Sequence, residues 1–216
     1  MTQYYRSRKH CKEYTENMRS FVKFDHRPWA AKIEEHIDTS RENLDVIDIA
    51  TGPGFLLIEL AKFFKNPELT AHDATDEMLN IAENEAEINN FDISTIHSSA
   101  ENIEARNNSF DIVTCKQLLH ESESPARVIS EIFRITKPDG KAFIIDFDQN
   151  KKKFTARMIK LFIRLTKGKR LATEFWKSYS GALQGKNIKI MMEKVGFKNV
   201  KYFQIRYNYF IFGEKK

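Results

Sequence analysis

The stretch VIDIATGPGFLLIELAK, residues 46–62, decides how the chain is read. Its first residues are β-branched and apolar, as in a buried strand. An acid, Asp48, interrupts them. Two glycines one residue apart, Gly52 and Gly54, then give way to an apolar pattern with helical spacing. The chain has only 8 glycines, so two within three residues need a reason, and close backbone approach to a ligand supplies one. The pattern lacks the third glycine of a dinucleotide fingerprint, and Asp48 would repel a pyrophosphate. A ligand with positive charge near the turn suits that carboxylate better.

The frame repeats downstream. Strand-like runs at 44–50, 69–74, 93–99, 110–116 and 141–147 alternate with helical patterns near 55–65, 76–88 and 125–136. Asp139-Gly140 reads as the turn into the fifth strand. Such alternation predicts right-handed crossovers and a doubly wound, mostly parallel α/β sheet. After a helical pattern over 186–195, two further strands with a short link must be antiparallel, so the expected sheet has seven strands and ends in a hairpin. The whole reads as one domain: an N-terminal helical cap (1–40), a core (44–147), a helical lid insert (150–185) and a closing helix and hairpin (186–216). In such a sheet, ligands bind beyond the carboxyl ends of the strands. The second insert leaves from such an end, whereas the first must fold back to reach it.

A second acid, Asp73, closes the second strand, a position from which a carboxylate accepts hydrogen bonds from two ribose hydroxyls. A cationic group joined to a ribose points to S-adenosylmethionine as the cofactor. The segments DIATGPG (48–54), HDATDEMLNIA (72–82), SSAENI (98–103), SFDIVTCKQLLHE (109–121) and EIFRITKPDGKAFIID (131–146) together resemble the successive motifs of class I S-adenosylmethionine-dependent methyltransferases. They are most similar to the small-molecule branch that includes ubiquinone/menaquinone-type enzymes. The resemblance implies that Asp48 holds the methionine amino group, and that Gly52 and Gly54, in one turn with Ala50 and Thr51, let the backbone approach the ligand. It places the ribose on Asp73, the adenine against Ala74 and Met78 with Ser99, Ala100 and Glu101 at its edge, and the methionine portion beside Cys115 and Lys116. Ala50 stands where the family usually has glycine, a change that a small side chain tolerates, and Ser99 stands where it usually has aspartate, so adenine recognition there is either weaker or done by Glu101.

His120 follows the fourth strand, near the expected methyl acceptor. It reads either as a base taking the acceptor's proton or as a loop-capping histidine. Asp146 and Asp148, ending the fifth strand on the same rim, read either as acceptor ligands or as solvated acids. Cys11 and Cys115 match no metal-ligand spacing, so no metal is expected and both thiols are expected to be reduced.

A composition with 41% hydrophobic and 30% charged residues is that of a globular protein. No apolar run reaches membrane-spanning length and the N-terminus carries no apolar signal core, which predicts a cytoplasmic protein. The net charge of +5 is uneven: residues 151–170 hold nine Lys/Arg and no acid, and residues 1–32 hold eight and three acids. The remainder, with 18 basic and 27 acidic residues, is strongly acidic. Within 151–170, Phe154, Met158, Leu161, Phe162 and Leu165 recur at helical spacing, with basic residues between them. That pattern fits a solvated lid, a peripheral membrane contact or an anionic substrate. The sequence after the fourth strand, CKQLLHE, carries no base-amine or pyrimidine methylation signature, so a small-molecule acceptor is favoured over nucleic acid. An RNA or protein methyltransferase, or a module that binds S-adenosylmethionine without transfer, are the alternatives. The oligomeric state is not legible.

Overall fold

The computed structural model describes residues 7–149, 153–166 and 168–216. Residues 1–6, Lys151, Lys152 and Lys167 of the two basic segments lie outside the described residues, as does the side chain of Phe154. The frame runs β1 (Asp45–Ile49), α3 (Phe55–Ala61), β2 (Glu68–Asp73), α4 (Asp76–Ile88), β3 (Ile93–His97), β4 (Phe110–Lys116), α5 (Pro125–Ile135) and β5 (Thr136–Phe147). Helices α1 (Arg8–Arg19) and α2 (His26–Glu34) precede it. After it come α6 (Lys153–Thr166), α7 (Lys169–Gly181), α8 (Gly185–Val195), β6 (Lys198–Ile205) and β7 (Asn208–Glu214).

The seven strands lie in the order β3-β2-β1-β4-β5-β7-β6, with β1 to β5 parallel and the last two strands antiparallel. Strand alternation sends successive side chains to opposite faces. Val46, Ile112, Phe143 and Phe210 join a core under α2, α3 and α4, while Ile47, Val113, Ile144 and Ile211 join another under α5 and α8. The order reverses between β1 and β4, which opens a crevice at their carboxyl ends.

Two local expectations change. The helix after the glycine turn stops at Ala61, short of residue 65. Asp139-Gly140 is an irregularity inside β5, with Asp139 at φ 62° and the β4 register slipping between Phe110 and Ile112. Asp139 N–H donates to the Lys215 carbonyl at 2.7 Å, so the chain's end holds the bend.

Both helical inserts reach the crevice, where Tyr14 and Met18 of α1, Ile159 and Ile163 of α6 and Phe175 of α7 line one cavity. Arg19 of α1 forms a two-pronged ion pair with Glu85 of α4, and Arg8 bonds Glu77 on the same helix. Arg19 is half-exposed, so its attraction is worth no more than ~1 kcal/mol. Losing Arg19 would cost more, because Glu85 would be left buried without its charge partner.

Helix α8 begins where the hairpin leaves no room: a Cβ at Gly185 would sit 2.5 Å from Tyr202 Cε2 and 2.8 Å from Tyr209 Cβ. Gly185→Ala should therefore cost about 1–3 kcal/mol, read as a lowered urea midpoint.

Candidate active site

At the crevice, Asp48 is 2% exposed and paired in register with Thr114 of β4. Thr114 Oγ1 donates to one carboxylate oxygen at 2.6 Å, and Thr51 Oγ1 to the other at 2.9 Å. Burial outweighs both bonds and pushes the carboxyl up to about 6. The turn that follows alternates into left-handed backbone, with Ala50 at φ 54°, Gly52 at 54° and Gly54 at 77°. Its amides are held by the end of β2. Thr51 N–H donates to the His72 carbonyl at 2.9 Å, and Gly52 N–H to Asp73 Oδ2 at 3.0 Å. The other Asp73 oxygen accepts from Thr75 N–H at 3.0 Å, and burial raises this carboxyl too. Each Asp73 oxygen thus keeps capacity for a further donor.

A cavity of about 970 Å³ spreads from this turn beneath the helical cover. Asp48, Ala50, Thr51, Gly52, Asp73, Met78, Ser99, Ala100, Glu101, Lys116 and His120 line it. Five other candidate residues do not. Gly54 faces α4, where an added Cβ would sit 3.1 Å from Ala82 Cβ. Ala74 yields its place to Thr75, and its carbonyl lies 3.2 Å from His97 Nε2. Cys115 is 1% exposed in the α5/α8 core, where burial and nearby carboxylates raise the thiol. Asp146, also 1% exposed, lies behind His120. Asp148 is fully buried and accepts from Tyr202 Oη at 2.6 Å, so it is no solvated rim acid.

Two expected contacts are committed elsewhere. Glu101 accepts from Ser122 Oγ at 2.8 Å and Ser124 N–H at 2.9 Å, tying the loop after β3 to the loop after β4. Lys116 donates to Asp25 Oδ2 at 2.6 Å, while Trp29 Nε1 donates to Asp25 Oδ1 at 3.2 Å. Burial opposes ionisation of Asp25, but Lys116 outweighs it and keeps the carboxyl low.

At the acceptor side, His120 Nδ1 donates to Asp146 Oδ1 at 2.6 Å, and its backbone N–H donates to Oδ2 at 3.1 Å. Nε2 is left toward Glu121, 3.7 Å away. Burial disfavours the imidazolium, but the bonds to Asp146 and Glu121 win and push His120 up to about 9. Phe147, Phe175 and Tyr207 make an aromatic wall beside it, with the Phe147 ring centroid 5.3 Å from that of His120. The motif sequence does not reveal Tyr14, Gln117, Phe175 and Tyr207, which also line the cavity. Gln117, at φ 57°, carries a strained backbone that only the structure shows.

A family profile described as a methyltransferase domain matches residues 40–201. A ubiquinone/menaquinone biosynthesis C-methyltransferase UbiE from Rickettsia prowazekii is 27% identical over 192 residues, covering 82% of this chain and 77% of that protein. Its namesake from Bdellovibrio bacteriovorus is 28% identical over 124 residues, covering 57% of this chain but only 52% of the relative. The crystal structure of a SAM dependent methyltransferase from Aquifex aeolicus superposes with a TM-score of 0.71 at 19% identity, covering 97% of this chain and 99% of that one.

The Asp48 environment gives a stability signature. Its carboxyl titrates near 3.8 when unfolded and about 6 when folded, so between these values only the folded chain holds the proton. Its contribution to stability falls as pH rises through that window. Relative to Asp48→Asn, wild type should lose on the order of 1–3 kcal/mol between pH 4 and 7, measured by paired urea titrations.

Proposed function

The chain belongs to the methyltransferase domain family, and from that premise we propose that it transfers a methyl group from S-adenosylmethionine to a small, lipid-soluble acceptor bearing an ionisable hydroxyl or acidic C–H. The observation that carries this reading is continuity: one cavity joins the glycine turn to His120. The turn fits the donor. A Cβ at Gly52 would meet nothing nearer than Tyr14 Cε1 at 3.9 Å, so the backbone is open to a ligand. Asp73 offers its remaining lone pairs to a ribose, and Asp48 offers a carboxylate to an ammonium. Met78 and Ala100 present apolar surface suited to an adenine, with Glu101 and Ser99 at its edge. The bound donor supplies an activated methyl on sulfur.

The protein's own work is then alignment and proton removal. Phe147, Phe175 and Tyr207 orient a flat, apolar acceptor. His120 accepts its proton at Nε2, while Asp146 fixes the ring and stabilises the imidazolium. In the free protein His120 is protonated at neutral pH, because its value is raised to about 9. A sulfonium arriving in the same cavity opposes that charge and favours release of the proton. Donor binding thus prepares the base. The names of the quinone-biosynthesis relatives support an acceptor of this kind.

Assays of S-adenosylhomocysteine formation with ring-hydroxyl and amine acceptors test this. With a hydroxyl acceptor, kcat/KM for the donor, which reports the donor-free enzyme, should rise with pH toward about 9. Asp146→Asn should move that rise to lower pH and reduce the plateau by roughly 10²-fold or more. A flat profile in both proteins would remove His120 from the base role, and a protein that binds a nicotinamide dinucleotide instead would end the whole reading.

The lid supports delivery of the acceptor from a membrane. Ile159, Phe162 and Ile163 of α6 line the cavity, and Met158, Leu161, Phe162 and Leu165 are 48–77% exposed. Arg157 and Arg164 are exposed on the same helix, while Lys160 lies 4.7 Å over the Trp176 ring of α7. An apolar stripe with basic flanks complements an anionic bilayer. Wild type should sediment with phosphatidylglycerol vesicles and be released as salt rises. Arg157→Gln/Leu165→Gln/Arg164→Gln should abolish that binding and leave donor affinity unchanged. Equal sedimentation of the two would show a solvated lid, and salt-independent self-association would mark the stripe as an interface between copies.

A further inference from the structure

Ala50 is a non-glycine residue held at φ 54° in the turn itself. A side chain there is strained, and such strain persists only where the surroundings over-determine it. The surroundings are His72. Its ring is 1% exposed, and its Nδ1 accepts the Ala50 N–H at 3.4 Å. Its carbonyl accepts the next amide, Thr51, at 2.9 Å. Accepting at Nδ1 places the ring proton on Nε2, which donates to Ser98 Oγ at 3.2 Å. Ser98 Oγ also accepts the Glu104 N–H at 3.1 Å, and Ser98 N–H returns to the Asp73 carbonyl at 3.3 Å. The loop so anchored is the one that presents Ser99, Ala100 and Glu101 to the cavity.

We propose that His72 is a positioning residue that holds Ala50 in its left-handed conformation and so sets the mutual placement of the glycine turn and the loop after β3. The part of this that concerns the donor rests on the reading given under Proposed function. Burial keeps the ring neutral, with its value lowered to about 4, so the donor–acceptor polarity of the bridge does not change across the physiological range. An apolar residue of similar volume would fill the space but leave the Ala50 amide without an acceptor. Glycine at position 50 would need no such clamp, because it adopts φ > 0 without penalty. The two positions are therefore coupled, and the coupling is what distinguishes a clamp from ordinary core packing.

The test is a double-mutant cycle of His72→Leu and Ala50→Gly, read in two ways. Urea unfolding without ligand should show His72→Leu losing less stability in the Ala50→Gly background than in wild type. Calorimetry with S-adenosylhomocysteine should show His72→Leu weakening binding roughly tenfold, the scale of a lost hydrogen bond with released strain, and Ala50→Gly restoring most of it. At saturating donor, kcat should stay near wild type while KM for the donor rises. If His72→Leu does not fold, Ser98→Ala keeps the ring and removes only its far partner, and the same rescue by Ala50→Gly is expected. Additive effects in the unfolding cycle overturn the clamp. If wild type does not bind S-adenosylhomocysteine but the unfolding coupling is present, the donor reading fails and the clamp stands.

Discussion

The site is organised around a carboxylate buried between two strands. Asp48 and Thr114 are neighbours across the point where the sheet's order reverses, and the 2.6 Å bond between them spans it. Burying a carboxylate is costly, and two threonine hydroxyls offset that only in part, as the carboxyl's rise to about 6 records. The incomplete offset leaves the carboxylate suited to a cationic partner. Because Thr51 is one of the two donors, the same interaction fixes where β1 ends and the turn begins. β2 then takes up the turn's amides through His72 and Asp73, so three adjacent strands fix one loop.

Much of the fold was legible because it depends on local periodicity. The β-branched runs, the Gly52-Pro53-Gly54 turn and the apolar spacing of α4 and α5 are short-range signals, and each lies where the sequence places it. The side of the sheet on which a residue lies was also legible in principle. The family resemblance sets Cys115 and Lys116 together beside the methionine portion, yet adjacent strand residues face opposite ways. Lys116 shares the face of Asp48 and Thr114, whereas Cys115 falls in the other core. Alternation counted from Asp48 along the paired register would have separated them.

What was not legible depends on distant chain segments. Lys116 is bound to Asp25, 91 residues away, and Glu101 to the backbone of Ser124. No local pattern predicts either; the first engages the Lys116 ammonium and the second engages one of the two Glu101 oxygens. The charge map shows the same limit. Arg8 and Arg19 of the N-terminal basic segment are used in fastening α1 to the acidic α4, whereas Arg157 and Arg164 of α6 remain exposed. Two segments that look alike in composition differ in what their charge does: Arg8 and Arg19 bind acids of the frame, whereas Arg157 and Arg164 of α6 are left exposed.

The end of β5 shows how little sequence builds the acceptor side. Asp146 and Phe147 are consecutive, so the strand sends one to each face. Asp146 goes to the buried side and accepts from His120 Nδ1, from the His120 backbone and from Phe147 N–H at 2.7 Å. Phe147 goes to the cavity and starts the aromatic wall with Phe175 and Tyr207. The ring of His120 packs against Phe147, 5.3 Å between centroids. A carboxylate with three donors has little freedom to swing, so the imidazole inherits a fixed orientation from a strand that is paired on both sides. The apolar wall in turn keeps water from His120, which strengthens its bond to Asp146. A hydrogen-bonded pair in the core and an apolar surface in the cavity are thus built from one dipeptide.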